Sequence, residues 1–245
     1  MSAAVSVDFV DLENGAAAMV RAGDGEGGSW LIVDEGRASE GDAGPGELRI
    51  ADDGELATTS LSVDRGELEL EARRLVGVGF ELGSPFADAT GLALEASAAR
   101  IEGTWALGDR RHIDARGRVV RISGEPEWSS VELVRSLTAV LDDGSLVVVA
   151  AARPAGAAGH GDEVVDAVAV DSTGAVTRFD EALLSTEYGS DGRHRRAGIE
   201  LWAPGDAAPM RGAGTLVGGA DGVAFLRFRV DGAAGTARYE LMRRA

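Results

Sequence analysis

The sequence predicts an all-β protein of sandwich or barrel type, and three observations carry that prediction. Apolar and polar residues alternate with a period of two through most of the chain. Turn signals built on glycine and aspartate arrive about every 8–12 residues. No segment combines a sustained helical stripe with caps at both ends.

The elements follow in order. Gly23–Gly28 and Gly36–Gly46 read as surface loops, rich in glycine and acidic residues. Leu68 and Leu70 alternate with Glu67, Glu69 and Glu71, the pattern of a half-buried strand. Ala93–Arg100 and Glu181–Leu184 have compositions compatible with short helices. Ser136–Val140 and Leu146–Ala152 flank Asp142-Asp143-Gly144-Ser145 and read as a hairpin. Val164–Val170, the turn Asp171–Gly174 and Ala175–Phe179 repeat that theme. Phe225–Val230, the turn Asp231-Gly232 and a last strand near Arg238–Met242 complete the series. On Phe225–Val230, Leu226, Phe228 and Val230 share one face, with Phe225, Arg227 and Arg229 on the other. That is a core face and a solvent face, unless an arginine points inward and pairs with Glu200 or Glu240. The run Ser123-Gly124-Glu125-Pro126 breaks the strand pattern and suggests two domains, 1–122 and 123–245.

Composition excludes several chemistries. The chain has 245 residues and no cysteine, so disulfides, thiolate metal sites and a cysteine nucleophile are out. All 24 basic residues are arginine; without lysine there is no Schiff base, no pyridoxal phosphate linkage and no P-loop lysine. The formal charge of −17, more concentrated before residue 125 than after it, argues against nucleic acid as a partner. The longest apolar run, Leu146–Ala152, is too short for a membrane span. Asp8, Asp11 and Glu13 precede any basic residue, so no secretory leader is read and a cytoplasmic location is expected.

The local motifs are weak. Gly23, Gly25 and Gly28 match a dinucleotide fingerprint, but Asp24 and Glu26 would repel a phosphate and Trp30–Val33 reads as strand. His112, His160 and His194 are far apart in sequence, so no metal site is expected, and no cofactor is implied. His160 with Asp162 and Glu163 is the one local cluster. No nucleophile elbow is present, and a hydrolase reading rests only on Ser185 and the three histidines. Trp105, Trp128 and Trp202 each lie near charged residues, where an indole either lines a pocket or plugs a barrel end.

The residues from Gly117 to Ala245 carry a resemblance. Its segments are Gly124-Glu125-Pro126-Glu127-Trp128, Arg153-Pro154 with His160 and Glu163, and Leu184-Ser185-Thr186-Glu187-Tyr188. Arg195–Trp202, Phe228–Gly232, Gly235 and Arg238-Tyr239-Glu240 continue it. This half resembles an uncharacterised actinobacterial family related to hydroxyneurosporene synthase and the AttH-like double-lipocalin proteins. The resemblance implies two lipocalin-like antiparallel barrels packed side by side, with a site for a lipophilic isoprenoid, polyketide or steroid-like molecule. It also implies hydratase or isomerase chemistry, with His160 or Glu163 as proton donor and Glu200 as a second carboxylate. Arg153 would be the electrostatic partner, and Trp105, Trp128, Tyr188 and Trp202 would bind ligand. Relatives tend to carry Arg, His and Trp where this chain has Val119, Arg121 and Ser123, with Arg111 and His112 just upstream. That departure supports an alternative, a non-catalytic scaffold that docks a partner protein.

Overall fold

The computed structural model describes residues 3–23, 27–64, 66–75, 80–205, 208–220 and 222–244. Asp24, Gly25 and Glu26, the centre of the dinucleotide-like motif, lie outside the described residues.

The first half contributes β1 (Ala3–Asp11), β2 (Ala16–Gly23), β3 (Gly28–Asp34), β4 (Arg37–Ala43), β5 (Leu48–Asp52), β6 (Leu56–Val63) and β7 (Gly66–Arg74). It continues with β8 (Phe80–Glu81), α1 (Phe86–Thr90), β9 (Ala93–Leu107) and β10 (Arg111–Ser123). The second half contributes β11 (Val131–Leu141), β12 (Leu146–Pro154), a 3-10 turn (His160–Asp162), β13 (Val164–Val170) and β14 (Val176–Arg178). It ends with β15 (Glu181–Tyr188), β16 (His194–Trp202), β17 (Met210–Ala220), β18 (Val223–Val230) and β19 (Ala233–Arg243).

Each half is one antiparallel sheet curled around its own core. The strand orders are β4-β3-β2-β1-β10-β9-β7-β6-β5, with β8 added on β9, and β14-β13-β12-β11-β19-β18-β17-β16-β15. The two orders are the same path: in each, the last strand returns to pair with the first. Alternation explains why the sheets curl inward. Inward positions such as Leu61, Leu68, Leu70, Ile101 and Trp105 fill the first barrel. Leu137, Val149, Ile199, Leu226, Phe228 and Tyr239 fill the second.

The barrels meet through their outer faces. Leu94, Ala96 and Ala98 of β9, with Phe86 of α1, pack on Val134, Val148, Ala150 and Val168. On the other side, Met19, Leu31 and Val33 pack on Phe225. β9 and β12 are therefore buried on both faces, which explains their nearly continuous small and apolar residues. This double burial also corrects the sequence reading: Ala93–Arg100 is strand, because both faces are covered and period two is lost from the hydropathy pattern. Glu181–Leu184 is likewise strand, opening β15 with Ala182 and Leu184 inward. Arg37–Ala43, read as loop, is strand β4; Gly41 faces Trp30, and a Cβ there would lie 2.9 Å from the indole. Between the sheets, Gly124 (φ +95°) approaches Gly91 so closely that a Cβ would meet its carbonyl oxygen.

Strand β18 has the simple arrangement. Leu226, Phe228 and Val230 face the barrel core, Phe225 the other barrel, and Arg227 and Arg229 solvent.

Candidate functional site

The strand alternation that fills the barrels also shapes a cleft between them. On β2, Ala16, Ala18 and Val20 enter the first core, so Ala17, Met19 and Arg21 face the second barrel. On β19, Tyr239 faces the second core, so Arg238 and Glu240 face the first barrel. The cleft encloses about 450 Å³, with Met19, Leu31, Val223 and Met242 as apolar wall. Its polar residues include Arg21 and Glu240, whose carboxylate accepts two hydrogen bonds from Arg21 Nη2 at 2.6 and 2.7 Å. Trp30, opposite Val20, turns to the first core instead, where its Nε1 is buried without a hydrogen-bond partner.

Behind Glu240 runs a buried chain of charges that crosses between the barrels. Arg238 Nη2 lies 3.4 Å from Glu240, and its Nη1 donates to Asp8 Oδ2 at 2.7 Å and to Ser6 Oγ at 3.0 Å. Arg118 Nε donates to Asp8 Oδ1 at 2.6 Å, while Arg118 Nη1 donates to the carbonyls of Thr138 and Thr236. The side chains of Asp8 and Arg118 are 0% exposed. Burial alone would raise the pKa of Glu240, but Arg21 and Arg238 reverse that and hold it below the usual carboxylate range. Glu240 is therefore an anion at neutral pH, and an acceptor rather than a proton donor.

A second constellation forms at one end of the second barrel. Arg135 enters from β11, Arg153 from β12, Glu163 from the segment before β13 and Tyr239 from β19. Glu163 is clamped: Arg135 Nε donates to it at 3.0 Å, Arg135 Nη2 also reaches it, and Arg153 Nη2 lies at 3.0 Å. Arg135 Nη2 also donates to the Leu184 carbonyl at 2.6 Å. His194 stands between Tyr188 and Tyr239, its ring centroid 4.6 Å from the first and 4.7 Å from the second. Burial and the nearby Arg243 lower the pKa of His194, while burial and Tyr188 push the Tyr239 phenol well above the ordinary tyrosine value.

The sequence-derived site residues fall into separate places. Arg153, Glu163 and Tyr188 come together at this barrel end. His160 lies in the neighbouring 3-10 turn, and its side chain lies outside the described residues. Glu200 is on the outer face of β16, partly exposed, 3.3 Å from Arg211 Nε. Trp202 is half-buried at the end of the same strand, its carbonyl accepting from Asp180 N–H. Trp128 is half-buried in the connection between the sheets. Trp105 is buried in the first barrel, edge-on to Phe9 and covered by the Arg111 guanidinium at 4.7 Å. Val119 is in the first core, and Arg121 is at the end of that barrel against Asp52. Ser185 Oγ donates to the Gly198 carbonyl on an exposed face.

Arg135, His194, Tyr239, Arg21 and Glu240 were missed as site residues. Period two could have found Tyr239, since Ala237, Tyr239 and Leu241 share the inward face. Nothing local marks Arg21 or Arg135 among two dozen arginines. A larger hollow of about 580 Å³ lies on the outer face of β5–β7 and β9, bordered by exposed Glu69, Glu71, Glu102 and His112. Its polar lining is solvent-facing, away from both barrel interiors and from the cleft. Among the described residues, no group of three or more His, Asp or Glu side chains could hold a metal ion, and no helix is long and apolar enough to cross a membrane.

No family model matches this sequence. No curated protein matches it either. Solved structures do. Kievitone hydratase from Nectria haematococca superposes with a TM-score of 0.64 at 9% identity, over 98% of this chain and 88% of that one. CghA superposes with a TM-score of 0.67 at 11% identity, over 99% of this chain and 88% of its own. CghA with Sch210972 gives 0.63 over the same shares. The chain is a double lipocalin-like barrel. At these identities the likeness establishes the fold, and the chemistry has to be argued from this chain's own residues.

Proposed function

We propose that this protein binds, and by acid–base or electrostatic chemistry modifies, a lipophilic small molecule of isoprenoid, polyketide or steroid-like character in the cleft between its barrels. The observation that carries the reading is a cleft with apolar walls from both barrels and a buried-carboxylate ion pair, Arg21 with Glu240, among its polar residues. Ligand pockets have this make-up, mostly apolar with a few placed polar groups. A carbonyl or hydroxyl oxygen on the ligand would accept from the Arg21 guanidinium. Arg21, fixed by Glu240, would stabilise negative charge developing on that oxygen, as in an enolisation or isomerisation.

The resemblance of Gly117–Ala245 to hydroxyneurosporene synthase and AttH-like proteins would extend this reading to hydration of a carbon–carbon double bond. The similarity to kievitone hydratase is in keeping with it. Such a step needs a proton donor, and an ionised Glu240 does not supply one. His160 and Glu163, the donor candidates from the sequence, belong to the far end of the second barrel. The reading that the cleft supports best is therefore binding with oxyanion stabilisation.

Native mass spectrometry of the purified protein, with extraction of anything bound, tests it. The expected result is one lipophile per chain. Progesterone and retinol, as probes, should bind the emptied protein and bind more weakly, by about tenfold or more, to Val223→Glu, which sets a charge in the apolar wall. An empty protein that takes up neither probe would overturn the cleft as a ligand site.

A further inference from the structure

We infer that the end of the second barrel around Arg135, His194 and Tyr239 is a separate binding site for a small-molecule carboxylate. Three buried polar atoms, on three strands, converge there without an aligned hydrogen bond: Arg135 Nη1, His194 Nε2 and Tyr239 Oη. Arg135 and Tyr239 are among the most enclosed side chains of the barrel, with residue exposures of 3% and 1%. Tyr239 Oη lies within hydrogen-bonding reach of both Tyr188 and Arg135, with neither bond aligned, which places the three groups around one small volume. A buried polar group without a partner costs stability, and native proteins keep few of them. Three together mark a place where a bound group completes the hydrogen bonding.

The charge of the place selects the class of ligand. Arg135 and Arg153 flank one carboxylate, Glu163, and Arg243 acts on His194 from nearby. This end is locally cationic in a chain of formal charge −17. All three orphaned groups can donate, Arg135 always, Tyr239 through its hydroxyl and His194 in the Nε2–H tautomer. Two carboxylate oxygens have lone pairs for all three, and charge-assisted bonds to an arginine are the strong kind. Access is provided by Tyr188, which is 41% exposed and stacked on the half-buried His194. On β1 and β10, the counterparts of β11 and β19, the first barrel has only Val5, Val7 and Val119 inward among its core residues nearest that end. Its own buried atoms without a partner, among them Trp30 Nε1 on β3, Thr59 Oγ1 on β6, Trp105 Nε1 on β9 and Arg111 Nε on β10, lie on other positions.

The test uses the full chain, labelled with nitrogen-15 in its three histidines. Benzoate is titrated against benzyl alcohol, its uncharged match, while the His194 imidazole resonance is followed; His194→Gln assigns that resonance. Benzoate should shift it saturably and benzyl alcohol should not. Tyr239→Phe keeps the ring and removes only the hydroxyl. It should melt at the same temperature as the parent or higher, yet bind benzoate about tenfold more weakly. Val223→Glu, the cleft variant, should bind benzoate normally, so failure of the cleft reading would leave this site standing. The inference is overturned if benzoate leaves His194 unmoved, if benzyl alcohol shifts it equally, or if Tyr239→Phe binds benzoate as the parent does.

Discussion

The two barrels share one strand path but end differently. At the end of the first, Asp52 takes two parallel hydrogen bonds from Arg74, at 2.7 and 2.8 Å, and a third from Arg121 at 3.1 Å. At the end of the second, Glu163 is clamped by Arg135 and Arg153 in the same manner. A carboxylate between two arginines is thus the common device for closing a barrel whose inward strand positions run out of apolar neighbours. In the first barrel the device stands beside the valines already named. In the second it is joined by Tyr188, His194 and Tyr239, whose hydrogen bonding it does not complete. The lesson is that one kind of ion-pair clamp can close a barrel by itself or stand within a cluster of imidazole and phenol groups, and the neighbours decide which.

The largest expected effect tests what joins the barrels. Asp8→Ala removes the one carboxylate shared by the buried Arg118 and Arg238, and should cost about 5 kcal/mol or more of stability. Urea denaturation should show this, together with early separation of the two barrels' unfolding. A loss below about 1 kcal/mol would mean that the arginines find other partners.

The next effect ranks the two ends. Glu163→Ala strands Arg135, only 3% exposed, and should cost about 3–4 kcal/mol. Asp52→Ala releases Arg121, 44% exposed, and Arg74, 12% exposed, so water can take over and about 1–2 kcal/mol is expected. Equal losses in urea titrations would remove the distinction between an enclosed and an open clamp.

The smallest effect is in acid. Burial raises the pKa of Asp52, but hydrogen bonds from Arg74 and Gly54 and the charge of Arg121 leave it below the ordinary aspartate value. Its contribution is present above the unfolded pKa and is lost as pH falls through the folded one, so it fades below about pH 4. His194 has its pKa lowered by burial and by Arg243, so its neutral form belongs to the folded state. That contribution is present above the unfolded pKa, near 6.5, and is lost as pH falls through the folded value. The second barrel should therefore weaken at higher pH than the first. Thermal melts of His194→Gln should lack the earlier loss, and those of Asp52→Asn the later one.

Some of this was legible in the residues alone. Period two and glycine-aspartate turns suffice for an all-β chain, because alternation is a local property of one strand against one core. The hairpin of β11 and β12 and the two faces of β18 follow from the same rule. Of the residues named from a resemblance, Arg153, Glu163 and Tyr188 lie at one end of the second barrel, whereas Glu200, Trp105, Trp128 and Trp202 are dispersed over other places. Tertiary structure alone decided that Ala93–Arg100 is strand, since a segment covered on both faces loses its period. It alone decided which arginines are buried, because burial depends on what a neighbouring strand or barrel places opposite. Arg118 and Arg227 are indistinguishable as sequence; one is locked against Asp8 and the other faces water. The cleft is likewise a property of two sheets meeting, and no single stretch of sequence contains it.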